Sequence, residues 1–234
     1  MELQDLINLK PADFKNRDIP IEEILEWFKI RQAYWQHDGN FNNPHALLTS
    51  GRHSNGFFDC LRVLQHLNLS DILANQLARK IRTVIGDLKV DYVIGSPMAG
   101  ITFAHDVARA LDATCNMFTE KDGSAMVFDR IAIPSGSLVL QVEELITTRK
   151  TTNLVKAAVD NCNPDPVSWL PFIGSLVYRP ASFDDENEKG DRQIIPLIAK
   201  EIWSASPDEC PLCAAGSQII PKPKTHWDQL TGKH

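Results

Sequence analysis

An apolar run near the middle of the sequence ends in two acids, and a hydroxyl-rich turn and a helical pattern follow it. Residues 138–142 are apolar apart from one glutamine, and a Gly-containing turn precedes them. A short run of this kind predicts a buried parallel strand, and the apolar spacing over 151–159 predicts a helix. Glu143 and Glu144 are therefore expected at the carboxyl end of a strand, where open α/β sheets bind ligands.

The order of the other elements extends this pattern to a whole sheet. Predicted strands and helices alternate along the chain: strand 91–95, helix 100–111, strand 115–118, strand 138–142, helix 151–159 and strand 172–178. This alternation predicts an α/β fold with a central parallel sheet flanked by helices. A further strand over 194–203 is expected to be antiparallel or to lie at an edge.

The chain divides into an extension, one larger domain and a tail. Residues 1–45 hold an irregular arm and an amphipathic helix, and residues 46–203 hold the alternating elements. Residues 204–234 have too little apolar periodicity to form a domain, so we expect an irregular C-terminal tail. The 234 residues, 43% of them hydrophobic, suffice for one α/β core with extensions.

Charge and composition argue against several classes of partner. The chain has 24 basic and 30 acidic residues, a net charge of −6, which disfavours nucleic acid and anionic membranes as main partners. Neither a secretory leader nor an apolar run long enough to span a bilayer is visible in the sequence. Five cysteines, an odd number, argue against a disulfide framework. We therefore expect a soluble, cytoplasmic protein.

Two cysteines stand close together in the predicted tail. Cys210 and Cys213 have the spacing of half a zinc knuckle, and a structural zinc site takes four ligands. His226, His234 or a second subunit could complete such a site. The alternative is a tight proline turn without metal, and the sequence leaves both interpretations open.

The segment over 138–152 resembles the phosphoribosyl diphosphate (PRPP) signature of type I phosphoribosyltransferases, with four apolar residues, two acids, two apolar residues and a Thr-rich turn. The resemblance implies that Glu143 and Glu144 hold the ribose hydroxyls and stabilise a cation-like sugar during transfer. The family has Asp at the second acid and Gly where Arg149 and Lys150 stand. The resemblance also implies PRPP contacts along the turn, from Thr147, Thr148, Arg149, Lys150 and Thr151.

A second segment, residues 47–59, is similar to the N-terminal signature of orotate phosphoribosyltransferases, in which Ser-Gly-Arg-x-Ser precedes two aromatic residues. This similarity implies that Phe57 and Phe58 lie beside the base, together with Thr147 of the turn. The alternative for the two rings is packing in the core. The family's lysine before Ser-Gly is Thr49 here.

Two further matches follow predicted strands. Arg179 comes directly after the strand 172–178, where orotate enzymes pair an arginine with the substrate carboxylate, and a guanidinium fork fits that group. A surface arginine without a role is the alternative. The loop after strand 91–95 resembles the family's pyrophosphate-binding turn, which implies PRPP contacts from Ser96, Ala99 and Gly100.

Residues 119–134 correspond to the mobile loop that closes over substrate in the family. The resemblance implies that Lys121 is a catalytic cation for the leaving pyrophosphate and that Arg130 contacts PRPP. The loop is shorter than in many relatives and lacks their cluster of basic residues. An ordinary charged hairpin is the alternative.

These matches follow one another consistently through the larger domain, so the chain is identified as a member of the orotate phosphoribosyltransferase family. Membership implies transfer of phosphoribose from PRPP to orotate, with Mg²⁺ bound mainly through PRPP, in a homodimer. Two alternatives stay open. One is a phosphoribosyltransferase for another base, and the other is a non-catalytic homologue that binds PRPP or a nucleotide.

Overall fold

In the computed structural model, which describes residues 2–123, 125–184 and 190–232, the N-terminal part of the chain forms short elements that lead into one long helix. The elements, in chain order, are α1 (Leu3–Ile7), a 3-10 turn (Pro11–Phe14), α2 (Ile21–Ile30), β1 (Tyr34–Gln36), β2 (His45–Leu47), β3 (His53–Ser54), β4 (Gly56–Phe58), α3 (Leu61–Leu64) and α4 (Leu67–Ile85). Within the described ranges no helix combines the length and apolar character needed to span a bilayer.

A buried glutamine of α4 fixes the N-terminal arm to the rest of the protein. Gln76 accepts a hydrogen bond from the amide of Ile19 at 2.8 Å and donates to the carbonyls of Phe14 and Arg17 at 3.1 and 2.9 Å. Phe14 also meets Trp27 edge-on, with 5.7 Å between ring centroids. The arm, which the sequence predicts as irregular, is therefore part of the main hydrophobic core.

Five parallel strands form the central sheet, in the order β11-β10-β9-β5-β6. The predicted α/β fold is thus confirmed. The strand expected over 194–203 is β11, which lies at one edge of this sheet and runs parallel to β10. The elements are β5 (Tyr92–Gly95), α5 (Ala99–Ala110), β6 (Cys115–Phe118), β7 (Glu120–Asp122), β8 (Ala125–Val127), β9 (Leu138–Ile146), α6 (Lys150–Cys162), β10 (Ser168–Tyr178) and β11 (Gln193–Ala199).

Strand β9 is longer than its apolar run predicts, because it continues through both acids to Ile146. Its neighbour β10 keeps pairing with it, and Glu143 lies opposite Ser175. Continued pairing satisfies the backbone of the acidic residues within the sheet. The acids are therefore held on a central strand and do not belong to a loop.

The C-terminal residues contain elements of their own. They form β12 (Ser204–Ala205), a 3-10 turn (Pro207–Glu209), α7 (Pro211–Ala214), β13 (Ile219–Pro221) and α8 (Trp227–Thr231). Strand β12 pairs with β3 and β13 pairs with β2, which makes a second sheet in the order β12-β3-β2-β13. The tail therefore completes a sheet begun by an N-terminal hairpin, an arrangement that apolar periodicity in the tail alone could not reveal.

The carboxyl ends of the central strands bring the predicted site segments to one edge. Ser96 follows β5, the β7–β8 hairpin follows β6, Thr147 follows β9 and Arg179 follows β10. Parallel strands end at the same edge, so segments far apart in sequence meet there.

Candidate active site

A buried carboxylate lies at this edge of the sheet. Glu143 is only 2% exposed, and its Oε1 accepts a hydrogen bond from Nε2 of Gln141 at 2.7 Å. Its Oε2 accepts a short hydrogen bond from the hydroxyl of Ser96, in the loop after β5. Two neutral donors, one on the same strand and one in the loop after the neighbouring strand β5, thus hold the carboxylate in one orientation.

Burial changes the acidity of both acids. It raises the pKa of Glu143 to about 7, although the hydrogen bonds from Ser96 and Gln141 oppose the shift. Burial also raises the pKa of Glu144. Removal from water penalises the charged form of a carboxyl group, and a nearby positive charge would favour it. These acids are therefore suited to a ligand that brings positive charge.

The buried Glu143 is expected to make the free energy of unfolding fall as the pH rises from about 4.5 to about 7. Its folded pKa of about 7 lies above its ordinary value of 4.5, so the folded state binds more protons in this window. The contribution of Glu143 to the free energy of unfolding is fully present below the pKa of the unfolded state. It is lost as the pH rises through the pKa of the folded state, by up to about 3 kcal/mol.

Urea unfolding of the wild type and Glu143→Gln at pH 5 and pH 8 measures this contribution. The amide does not titrate, so the stability of the variant relative to the wild type should be greater at pH 8 than at pH 5. The exposed Glu26→Gln on α2 is a matched control whose difference from the wild type should not change in this way. An equal difference for Glu143→Gln at both pH values would contradict the prediction.

Gly100, at the start of α5, lies directly against the acids. A Cβ at this position would be 3.0 Å from Oε2 of Glu143, 3.1 Å from Oγ of Ser96 and 3.2 Å from Oε2 of Glu144. Contacts this tight would push the carboxylates out of place. Glycine thus lets the beginning of α5, including the half-buried Ala99, approach both acids closely.

The hydroxyl-rich turn has an ordinary backbone conformation. Arg149 has φ −83° and ψ 7°, and Lys150 is the first residue of the 13-residue helix α6. The family's glycines are therefore not needed here to provide a positive φ at these two positions. Thr148 and Thr151 are exposed and Thr147 is half-buried. The first amides of α6 and these hydroxyls together suit an anion.

The side chain of Arg149 packs against residues 190–192. Its Nη1 donates to the carbonyl of Arg192 at 2.6 Å, and a Cβ on Gly190 would lie 2.9 Å from the same nitrogen. Its carbonyl accepts from the hydroxyl of Thr152 at 2.8 Å. The bulk that replaces the family's glycine is therefore accommodated by a neighbouring segment of the protein.

Arg179 is a largely buried cation at the end of β10. Its amide donates to the carbonyl of Ile146 at 2.9 Å, which aligns the ends of β10 and β9. Burial lowers the pKa of its guanidinium, and its charge also interacts with Cys60. Nε of Arg179 is buried without a hydrogen-bond partner in the described part of the chain. An unpaired buried donor is costly, so this position can accept an anionic group of a ligand.

The two aromatic residues of the N-terminal segment pack in the protein interior. Phe58 stacks on Tyr34 with 4.5 Å between centroids and meets Phe28 edge-on at 5.6 Å. Phe57 meets Trp227 of α8 edge-on at 6.0 Å. These contacts support the packing alternative, and a role of either ring beside a base stays a prediction.

The segment that corresponds to the family's mobile loop forms a charged hairpin. Strands β7 and β8 pair antiparallel, and Lys121 lies exposed on β7. Arg130 donates two hydrogen bonds to Glu120, from Nε and, at 3.1 Å, from Nη2. This ion pair lowers the pKa of Glu120 and raises that of Arg130. The structure does not bring either basic residue into contact with the acids of β9.

Two residues that contact the acids were not identified from the sequence. Gln141 lies two positions before Glu143, and side chains at this spacing share one face of a strand. A polar residue inside an apolar run was therefore an available signal. Cys60 donates from Sγ to the carbonyl of Glu144 at 3.3 Å, and its sequence neighbourhood shows no sign of this contact.

Comparison with known proteins places the chain in a family. No family model matches it. The orotate phosphoribosyltransferase of Pelotomaculum thermopropionicum is 35% identical over 189 residues, which are 80% of this chain and 93% of the relative. That of Desulforamulus reducens is 33% identical over 213 residues, 90% of this chain and 98% of the relative. The chain belongs to the orotate phosphoribosyltransferase family.

A solved structure of the family has the same fold. The orotate phosphoribosyltransferase of Mycobacterium tuberculosis superimposes with a TM-score of 0.53 at 19% identity, covering 74% of this chain and 94% of that chain. At this low identity, the superposition supports a conclusion about the fold only. The family and the fold predicted from the sequence are both confirmed.

Proposed function

We propose that this protein transfers the phosphoribosyl group of PRPP to orotate, giving orotidine 5-phosphate and pyrophosphate in pyrimidine nucleotide biosynthesis. The observation that carries the proposal is the buried acid pair, which lies at the same sheet edge as an anion-suited turn and a buried arginine with an unpaired Nε. Relatives at 33–35% identity that are named orotate phosphoribosyltransferases support the choice of substrates.

In the proposed reaction, Glu143 and Glu144 accept hydrogen bonds from the ribose hydroxyls. Transfer passes through a sugar with positive charge at the anomeric carbon, and ionised carboxylates nearby stabilise that charge. Burial strengthens this stabilisation because the local dielectric is low. The amides and hydroxyls of the turn from Thr147 to Thr151 hold the 5-phosphate, and this contact positions the ribose beside the acids.

The pyrophosphate of PRPP is proposed to lie at the loop after β5, against Ser96, Ala99 and Gly100. The oxygen-rich surroundings of this loop fit Mg²⁺ held mainly by PRPP, since magnesium prefers carboxylate, hydroxyl and phosphate oxygens. Bound Mg²⁺ would supply neutralising charge to the departing pyrophosphate. We propose Lys121 as an additional cation from the exposed hairpin, with Arg130 as a flanking contact.

The base is proposed to bind beside Arg179, whose guanidinium would pair with the carboxylate of orotate. Thr147 lies half-buried at the end of β9, next in sequence to the strand end that Arg179 aligns. The net charge of −6 supports small-molecule substrates over nucleic acid. We further propose that the enzyme works as a cytoplasmic homodimer, as its family resemblance implies.

The proposed reaction is tested by monitoring the ultraviolet absorbance of orotate in the presence of PRPP and Mg²⁺. Calorimetry measures PRPP binding in parallel. We expect turnover that requires all three components. Binding of PRPP without orotate turnover would instead support a non-catalytic homologue. Turnover of adenine or another base in place of orotate would support a phosphoribosyltransferase of different specificity.

A further inference from the structure

Four potential metal ligands meet between the β2–β3 hairpin and α7. His45 lies on β2, His53 on β3, and Cys210 and Cys213 at the start of α7 and within it. Their ligand atoms all lie within 4.8 Å of one another. The two histidines and Cys210 are buried and Cys213 is half-buried. We propose that these four side chains bind one zinc ion in a closed structural site.

Four of the six distances between the ligand atoms lie close to the edges of a zinc tetrahedron, and the other two are at most 4.8 Å. Nε2 of His45 lies 3.2 Å from Nδ1 of His53, and 3.5 and 3.4 Å from Sγ of Cys210 and Cys213. Nδ1 of His53 lies 3.1 Å from Sγ of Cys213. Zinc bonds of about 2.0 Å to nitrogen and 2.3 Å to sulfur place two nitrogens about 3.3 Å apart and nitrogen and sulfur about 3.5 Å apart. One ion at the centre would thus reach these ligands with little movement.

A hydrogen bond between His45 and Ser217 orients His45 for metal binding. The hydroxyl of Ser217 donates to the carbonyl of Asn43 at 2.7 Å, so its oxygen can accept from Nδ1–H of His45 at 2.9 Å. A proton on Nδ1 leaves the lone pair of Nε2 free, and Nε2 is the atom that faces the other ligands. Metal-bound histidines are characteristically oriented in this way.

The two cysteines have the local geometry of a zinc knuckle. Pro211 begins the short helix α7, and the amide of Cys213 donates to Sγ of Cys210 at 3.5 Å. This contact orients the sulfur of Cys210 toward the same side as that of Cys213, as two ligands of one ion require. With two sulfur and two nitrogen ligands from the protein and no open position, the site matches structural zinc in preference to a hard cation.

The proposed site keeps the two cysteines expected from the sequence, but the histidines that complete it differ from those expected. His226 donates from Nδ1 to the carbonyl of Pro221 at 2.8 Å and is not among the four clustered residues. His234 lies outside the described residues. His45 and His53 occupy the remaining positions, and they flank the Ser-Gly-Arg segment at the tip of the β2–β3 hairpin. Zinc would therefore tie the C-terminal tail to the hairpin that carries this segment.

Metal analysis of the full-length protein, purified without chelators from cells grown with zinc, tests the proposal. We expect about one zinc per chain. Cobalt substitution should produce the visible bands of a tetrahedral site together with thiolate-to-cobalt charge transfer. Cys213→Ala should lose the metal, whereas the exposed Cys162→Ala, a matched control, should keep it. His53→Cys should also keep the metal, with stronger charge transfer, because it replaces one ligand by another.

Three outcomes would overturn the zinc site. They are wild-type protein free of zinc and unable to bind cobalt tetrahedrally, full zinc content in Cys213→Ala, and a Cys210–Cys213 disulfide in the protein as purified. Thiol titration of the wild type unfolded with a chelator and without reductant identifies the last of these, because thiols released from zinc then react whereas a disulfide does not. These measurements do not depend on turnover, so they distinguish failure of the zinc site from failure of the proposed reaction.

Discussion

Replacing Glu143 by Gln is expected to lower kcat for orotate by about 10²–10³-fold. The amide has the shape of the carboxylate but no negative charge to place near the cation-like sugar. It also cannot accept hydrogen bonds from both Ser96 and Gln141, since only one of its two terminal atoms is an acceptor. The loss should therefore appear in the chemical step, measured by steady-state and single-turnover kinetics.

Controls separate this chemical effect from damage to the fold. Glu26→Gln removes an exposed acid on α2, whose carboxylate pairs with Lys29 at 2.6 Å, and should leave kcat unchanged. The unfolding measurements on Glu143→Gln show whether the variant is folded under assay conditions. Unchanged kcat in a folded Glu143→Gln protein would contradict the proposed role of the acid pair.

Replacing Arg179 by Ala is expected to lower kcat/KM for orotate by about 10²–10³-fold, because a substrate carboxylate would lose its charged partner. PRPP binding, measured by calorimetry, should stay near the wild-type value, since the phosphate and ribose contacts are proposed to lie elsewhere. Arg179→Lys should recover only part of the loss. Lysine restores the charge but not the planar fork that matches a carboxylate.

The control for this prediction is Arg109→Ala, in the last turn of α5 and exposed. Helix α5 begins at the acids, so its final turn lies away from them, and orotate turnover should be normal. Unchanged orotate turnover in Arg179→Ala would remove the argument for a carboxylate clamp. Equal loss of PRPP affinity would indicate that Arg179 supports the fold of the site without recognising the base.

Much of the fold was predictable because the central strands have a strong local signal. The apolar runs that became β5, β9 and β10 are bounded by polar turns, and α5 and α6 follow two of them. Prediction was weakest at element ends and in the tail. Strand β9 extended through its acids because β10 pairs alongside it, and the tail strands formed because β2 and β3 provided partners. Pairing partners of this kind lie too far away in sequence for local periodicity to show them.

The candidate site was likewise predictable only where its residues are neighbours in the sequence. Glu143, Glu144 and the turn after them form one contiguous segment, so its pattern was visible in the sequence. Interpretation of Phe57 and Phe58 was less secure, since aromatic residues in a signature segment can equally pack in a core. The structure shows that both rings contact other aromatic side chains. Arg149, which differs from the family's glycine, could be understood only from its contact with the carbonyl of Arg192.

The sequence by itself determined the family, the parallel sheet and the edge at which its acids lie, because each depends on residues that are neighbours in the chain. The tertiary structure alone decided what surrounds those acids and which histidines meet Cys210 and Cys213. Burial raises the pKa of Glu143 to about 7 although hydrogen bonds from Ser96 and Gln141 oppose the shift, and no local pattern encodes this environment. Local sequence specifies strands and helices, whereas desolvation and ligand geometry depend on contacts between distant segments.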